Sequence, residues 1–148
     1  MLTRLHLSAA ASDVAGAAAR EGYPFEICGA LIGRQEGETA GVSRVVALPN
    51  SADESMRRRR FVIDPVLIVR LDRELRGANE SLLGFYHSHP DHPAEPSVTD
   101  LEYFRLWPET VWLIIPVNQG VPGKGRAWSL ESPEAEKAME LKVVSREP

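Results

Sequence analysis

The chain has 148 residues, 43% apolar and 26% charged, which is ordinary for a globular protein and enough to bury a core. Its net charge of −4 argues against general binding to nucleic acid or anionic membranes, and no apolar run approaches the ~20 residues that span a bilayer. The single cysteine, Cys28, excludes an intramolecular disulfide, and residues 1–7 lack the apolar stretch of a signal peptide; both fit a cytoplasmic protein.

Leu2, Leu5 and Leu7 alternate with polar neighbours and predict a short first strand. Ser8 is placed to cap an alanine-rich helix over 9–21, which Gly22 ends and Pro24 keeps from resuming. Residues 26–33 read as a buried strand, 35–39 as a hairpin turn and 41–48 as the return strand carrying Val42, Val45 and Val46. Residues 49–55 are loop by composition. Residues 57–63 predict a further strand. There the consecutive arginines 57–60 would be split between two faces, as on a solvated edge strand kept from aggregating by charge, and docking of an acidic partner is the less favoured use. Asp64 followed by Pro65 starts a helix with Leu67, Ile68, Leu71 and Leu75 on one side, ended by Gly77. After the central strand come a helix over 98–106, a buried strand over 111–117, a glycine-rich turn over 120–125 and a strand over 127–130. Residues 133–144 suggest a C-terminal helix or tail. No repeat or linker divides the chain, so a single domain over 1–148 is expected.

The run Leu82-Leu83-Gly84-Phe85-Tyr86-His87-Ser88-His89-Pro90 carries the chemistry. On a strand, His87 and His89 share a face with Cα atoms ~6.5–7 Å apart, close enough for both imidazoles to reach one metal ion. Pro90 ends the strand, and Ser97 opens the next helix with Asp100 in its first turn. Two histidines and a carboxylate fill three positions of a tetrahedral zinc site and leave the fourth for water. An H-x-H pair alone more often marks two unrelated histidines. It weighs more when Pro90, Ser97 and Asp100 stand with it.

Read together, H-x-H-P, six intervening residues and S-x-x-D (His87, His89, Pro90, Ser97, Asp100), with Pro24, Glu26, Cys28 and Gly29 upstream as P-x-E-x-C-G, resemble the JAMM, or MPN-plus, zinc metalloproteases. The resemblance implies an α/β fold: a single JAB/MPN domain with a mixed, curved central sheet flanked by helices, layered as in cytidine deaminases. It implies one zinc ion per chain on His87, His89 and Asp100, Glu26 as the base that handles the proton of a zinc-activated water, and Ser97 assisting at the oxyanion. Without the family pattern, Glu26 would be a solvated carboxylate. Ser97 also suits a helix cap, and Asp100 is expected to bind metal rather than close the capping box. Cys28 fits a small core residue better than a nucleophile, His92 a loop contact better than an extra ligand, and the three tryptophans packing positions. A zinc deaminase is excluded because its two-cysteine signature is absent.

The family hydrolyses bonds after the C-terminal glycines of ubiquitin-like proteins. The loop wording is most similar to small prokaryotic members of the CysO-cysteine peptidase type, which trim ubiquitin-like sulfur-carrier proteins in cysteine metabolism. The expected substrate is therefore the C-terminal tail of such a carrier. The alternatives are an isopeptidase that deconjugates a ubiquitin-like protein from lysine and, less favoured, a metal-free MPN scaffold. A homodimer through the arginine run or the C-terminal segment is left open.

Overall fold

The computed structural model describes residues 2–132 and 135–145. In chain order the elements are β1 (Arg4–Ser8), α1 (Ala9–Gly22), β2 (Cys28–Glu36), β3 (Thr39–Leu48), α2 (Pro65–Arg76), β4 (Ser81–Pro90), α3 (Val98–Phe104), β5 (Val111–Asn118), β6 (Val121–Pro122), β7 (Arg126–Ser132) and β8 (Ala135–Val144). The strands form one mixed sheet in the order β4-β2-β3-β1-β8-β7-β5-β6, and β4 also pairs with β5, so the sheet curls round until β4 meets β5, with the short β6 alongside β5. The result is the expected JAB/MPN architecture, a curved mixed sheet with three helices.

Two caps chosen by the sequence set the first helices. Ser8 Oγ accepts from the Ala11 amide at 3.1 Å, and the Asp64 carboxylate accepts from the Val66 amide at 3.0 Å with Pro65 at N1. The buried alanines of α1, Ala11, Ala15 and Ala19, pack with Leu5, Leu31, Tyr86 and Leu113 against one face of the sheet. On the other face, Phe85, Trp112 and Ile114 join Phe104 of α3 and Ile68 of α2, while Leu75 of α2 covers Ala30 and Ile32. Side-chain alternation along β4 therefore puts Tyr86 on the α1 face and Phe85, His87 and His89 on the α2/α3 face.

β4 lies between antiparallel β2 and parallel β5, with His87 opposite both Cys28 and Ile114. The parallel pairing brings the strands close at Gly84, where a Cβ would sit 1.9 Å from the Val111 carbonyl oxygen, and only glycine fits. A second such approach is Gly33, 1.8 Å from the Gly41 carbonyl on the same construction.

Two expected elements come out differently. Residues 57–63 are not a strand: a 3-10 turn at Glu54–Met56 leads into turn and extended coil. Side chains take the backbone groups that a ladder would need. Asn50 Oδ1 accepts from the Val62 amide at 3.1 Å, Asn50 Nδ2 donates to the Arg60 carbonyl at 3.0 Å, and the Tyr103 hydroxyl accepts from Ile63 N at 3.0 Å and donates to Ile63 O at 3.2 Å. The expected C-terminal helix is the strand β8, lying between parallel β1 and antiparallel β7; residues 133 and 134 of that expectation lie outside the described residues. Its Ala, Glu and Lys content favours a helix, but two open strand edges and burial of Met139 opposite Ala127 outweigh that local preference. Smaller shifts occur at β2, which starts at Cys28 so that Glu26 stands just before it, and at α3, which stops at Phe104. Among the described residues no helix is long and apolar enough to cross a membrane.

Candidate metal centre

The end of β4 and the first turn of α3 bring His87, His89 and Asp100 together, all buried, as the spacing predicts. His87 Nε2 lies 3.1 Å from His89 Nε2 and 3.2 Å from Asp100 Oδ2, and His89 Nε2 lies 2.8 Å from the same oxygen. Two tetrahedral ligands at ordinary zinc bond lengths stand ~3.3 Å apart, so this triangle of donors has the size that one such ion requires. With both Nε2 atoms deprotonated, all three atoms offer lone pairs to the same point, where a cation would hold them together. The donor set therefore fits zinc.

Neighbouring groups aim the ligands. His89 Nδ1 lies 2.7 Å from the Pro93 carbonyl, which can only accept, so Nδ1 carries the hydrogen and Nε2 presents its lone pair to the centre. The proline-rich loop thus orients a ligand. The His87 ring stacks on Phe61 with centroids 4.4 Å apart, and its buried Nδ1 has no hydrogen-bond partner among the described residues. Asp100 is held by a complete capping box: the Ser97 amide donates to Oδ2 and the Asp100 amide donates to Ser97 Oγ, both at 3.0 Å. This corrects the expectation that capping and ligation exclude each other. One carboxylate oxygen has room for both an N–H donor and a ligand direction, and Oδ2 faces the histidines while it caps.

Protonation follows from this crowding. Burial pushes the His87 pKa down, against the pull of Asp100. Burial also opposes charge on His89, but its bond to Asp100, the carboxylate charge and the Pro93 carbonyl carry its pKa above the ordinary value. Burial alone would raise Asp100; the charge and bond of His87, the bond of His89 and the Ser97 amide overcome it and hold the carboxyl well below its usual range.

Glu26 is 5% exposed, and among the described residues its Oε1 has no hydrogen-bond partner. Burial, then the charge of Asp100, pushes its pKa up to about 8, with His89 partly opposing. The pairing of Cys28 with His87 and the bond from the Ser88 amide to the Ile27 carbonyl at 3.0 Å carry Glu26 to the end of β4 that bears the histidines, a proximity that sequence spacing could not supply. Its backbone is pinned on both sides: Glu26 N donates to the Arg57 carbonyl at 2.7 Å, and Glu26 O accepts from Asn50 Nδ2 at 3.0 Å. One residue on, the Ile27 amide donates to Ser88 Oγ at 2.9 Å, tying this segment to the serine between the two histidines. A buried, unpaired carboxyl with a raised pKa is suited to taking and giving a proton near neutral pH.

Ser97 stands exposed at the rim, with its hydroxyl hydrogen not used by the cap. His92 is exposed on the loop and does not join the ligands. Cys28 is buried, and burial, then the charge of Glu26, pushes its thiol up to about 12, so it is an inert core residue. Trp112 and Trp128 are buried and Trp107 half-buried. Asn50 and Phe61 are the functional neighbours that the sequence did not single out. The only available signal was asparagine's habit of bonding to nearby backbone, which marks turns and names no partner twelve residues away.

Comparison with known proteins agrees with this geometry. Residues 8–131 match the model of the family described as prokaryotic homologs of the JAB domain. A protein of Haloferax volcanii named desampylase is 38% identical over 120 residues, covering 76% of this chain and 80% of the relative. A desampylase of Pyrococcus furiosus is 33% identical over 119 residues, covering 80% and 75%. A solution structure of a Desulfitobacterium hafniense protein superimposes with a TM-score of 0.83 at 27% identity, over 96% of this chain and 94% of that one. The match spans most of the domain, and the donors that fit zinc lie inside it. This chain belongs to the prokaryotic JAB family and is a JAMM-type metallopeptidase.

Proposed function

We propose that this protein is a zinc-dependent isopeptidase that frees a ubiquitin-like protein from a lysine side chain by cleaving after the modifier's C-terminal glycine. The observation that carries the reading is the triangle of His87 Nε2, His89 Nε2 and Asp100 Oδ2 beside the unpaired carboxyl of Glu26. Two relatives named desampylases support deconjugation over the release of cysteine from a sulfur carrier, although both reactions use the same groups.

One zinc ion would be held by His87, His89 and Asp100 and would polarise the attacking water and the scissile carbonyl. Glu26, buried and without a side-chain partner among the described residues, would take a proton from the water and return it to the departing amine. Ser97 accepts from the Asp100 amide, which fixes its oxygen and leaves its hydrogen free to donate to the developing oxyanion. Metal analysis with cleavage assays tests this. Zinc-loaded protein should release a ubiquitin-like protein from an isopeptide-linked lysine faster than it releases cysteine from a carrier's C-terminus, and a chelator should stop both. Faster release of cysteine would restore the carrier-trimming reading, and failure to retain zinc would remove both.

A further inference from the structure

The arginine run serves neither the core nor the proposed chemistry, yet its loop brings it to the rim of the centre. Arg57 is engaged, its Nε donating to the Ala52 carbonyl at 3.0 Å. Arg58 and Arg59 are exposed, and among the described residues neither side chain has a hydrogen bond or ion pair. The loop separates two grooves. One, of ≈ 200 Å³, lies between Arg60, Phe61 and α3 and reaches Asp100. The other, of ≈ 430 Å³, is bounded by Pro24, Arg58, Arg59, Pro90, Asp91 and His92.

The two grooves adjoin different parts of the centre. The smaller one touches Thr99 and Asp100 in the turn capped by Ser97, the oxyanion side. The larger one is walled by Pro24, two residues before Glu26, and by Pro90, directly after His89, so it opens next to the segments that carry the base and a ligand, the side on which a leaving amine would take its proton. The one carboxylate of this groove is already satisfied, with Asp91 Oδ2 accepting from the Tyr23 hydroxyl at 2.6 Å and Oδ1 from the Gln119 amide at 2.8 Å. Among the described residues neither Arg58 nor Arg59 makes an ion pair with Asp91, so two guanidiniums outnumber the single carboxylate of this groove. A guanidinium matches a carboxylate in charge and in the spacing of its donors.

We infer that Arg58 and Arg59 form a carboxylate-binding subsite for the leaving group, so that the enzyme favours substrates with an acidic side chain or a free α-carboxylate near the released amine. The inference rests on the peptidase reading above and specifies which leaving groups that site accepts.

Binding and cleavage test it separately. In the first experiment, Arg Nε–H signals of metal-free protein are followed by NMR during titration with a short acetylated lysine peptide flanked by Asp and Glu, and with its Asn/Gln counterpart. Shifts with the acidic peptide alone, absent from R58Q/R59Q, are expected. In the second, KM and kcat are measured for a ubiquitin-like protein linked to each peptide through lysine, and for one extended by a single alanine as free acid or amide. A carboxylate should lower KM about 5-fold, a surface ion pair's worth, with kcat little changed. R58Q/R59Q should erase the difference, whereas R70Q/R73Q, which removes the same charge from α2, should keep it. The substrate pair that shows the effect identifies the carboxylate's source. Equal KM values in both pairs, or a preference that survives in R58Q/R59Q, would overturn the inference. If zinc-loaded wild type cleaves none of the substrates, the peptidase reading fails, and the titration still decides whether the subsite exists.

Discussion

Glu26 is the residue whose environment matters most. Its pKa of about 8 lies above the ordinary 4.5, so the folded, metal-free protein holds a proton there that the unfolded chain gives up. The stability this provides is complete below pH about 4.5 and is lost as pH rises through about 8. Metal-free Glu26→Gln should lack that loss, so urea unfolding at pH 5 and pH 8 should show the variant gaining on wild type by a few kcal/mol, order of magnitude, at the higher pH. In zinc-loaded protein the same substitution should cut kcat by about 100- to 10,000-fold with metal content unchanged. Equal zinc and equal turnover would remove Glu26 from the chemistry. Asn50 acts at a distance, through four hydrogen bonds that join Glu26 to the arginine loop. Asn50→Ala should lower stability by about 2–3 kcal/mol in denaturant unfolding, because it orphans backbone groups as well as losing its own bonds. The ligands were legible from sequence because their spacing, i to i+2 on a strand and three residues past a cap, is itself geometry. Glu26 was legible only through resemblance, and Asn50 not at all, because its partners are main-chain atoms of a fold not yet known.

At the scale of elements, local signals worked where local physics decides. Ser8, Asp64 and Ser97 all cap the helices they were expected to start. The run at 57–63 misled because its apolar end, Phe61-Val62-Ile63, has the composition of a strand, while its backbone is satisfied by Asn50 and Tyr103. β8 misled in the opposite direction: its composition favours a helix, and only the waiting edges of β1 and β7 make it a strand. Phe61 shows what the loop contributes. Phe61→Ala removes the ring against His87 as well as contacts with Tyr103 and Trp112, and should cost about 3–5 kcal/mol in thermal or denaturant unfolding. Retained stability would mean that the loop merely rests on the site.

For the whole molecule, the ion and the fold should be coupled. The centre links β4 to α3, and Asp100 Oδ2 belongs at once to the donor triangle and to the cap of α3. A ligand that binds only the folded state stabilises it by about 4 kcal/mol when its free concentration is 1,000 times its Kd. Excess zinc should therefore raise the melting temperature of wild type and leave His87→Ala unmoved; a shift of equal size in both would place the ion elsewhere. The closed sheet has a consequence for the order of assembly. The donors lie at most 13 positions apart, from His87 to Asp100. The last seam of the sheet joins Arg4 to Glu140, 136 positions further along the chain. Loop closure makes such distant pairings slow to form and leaves strand edges exposed meanwhile. On a chain made from its N-terminus, the reactive segment emerges complete while the edge of β1 still waits for its partner. The chemistry-bearing turn is thus among the earliest pieces the topology allows, and the frame that shelters it is among the last.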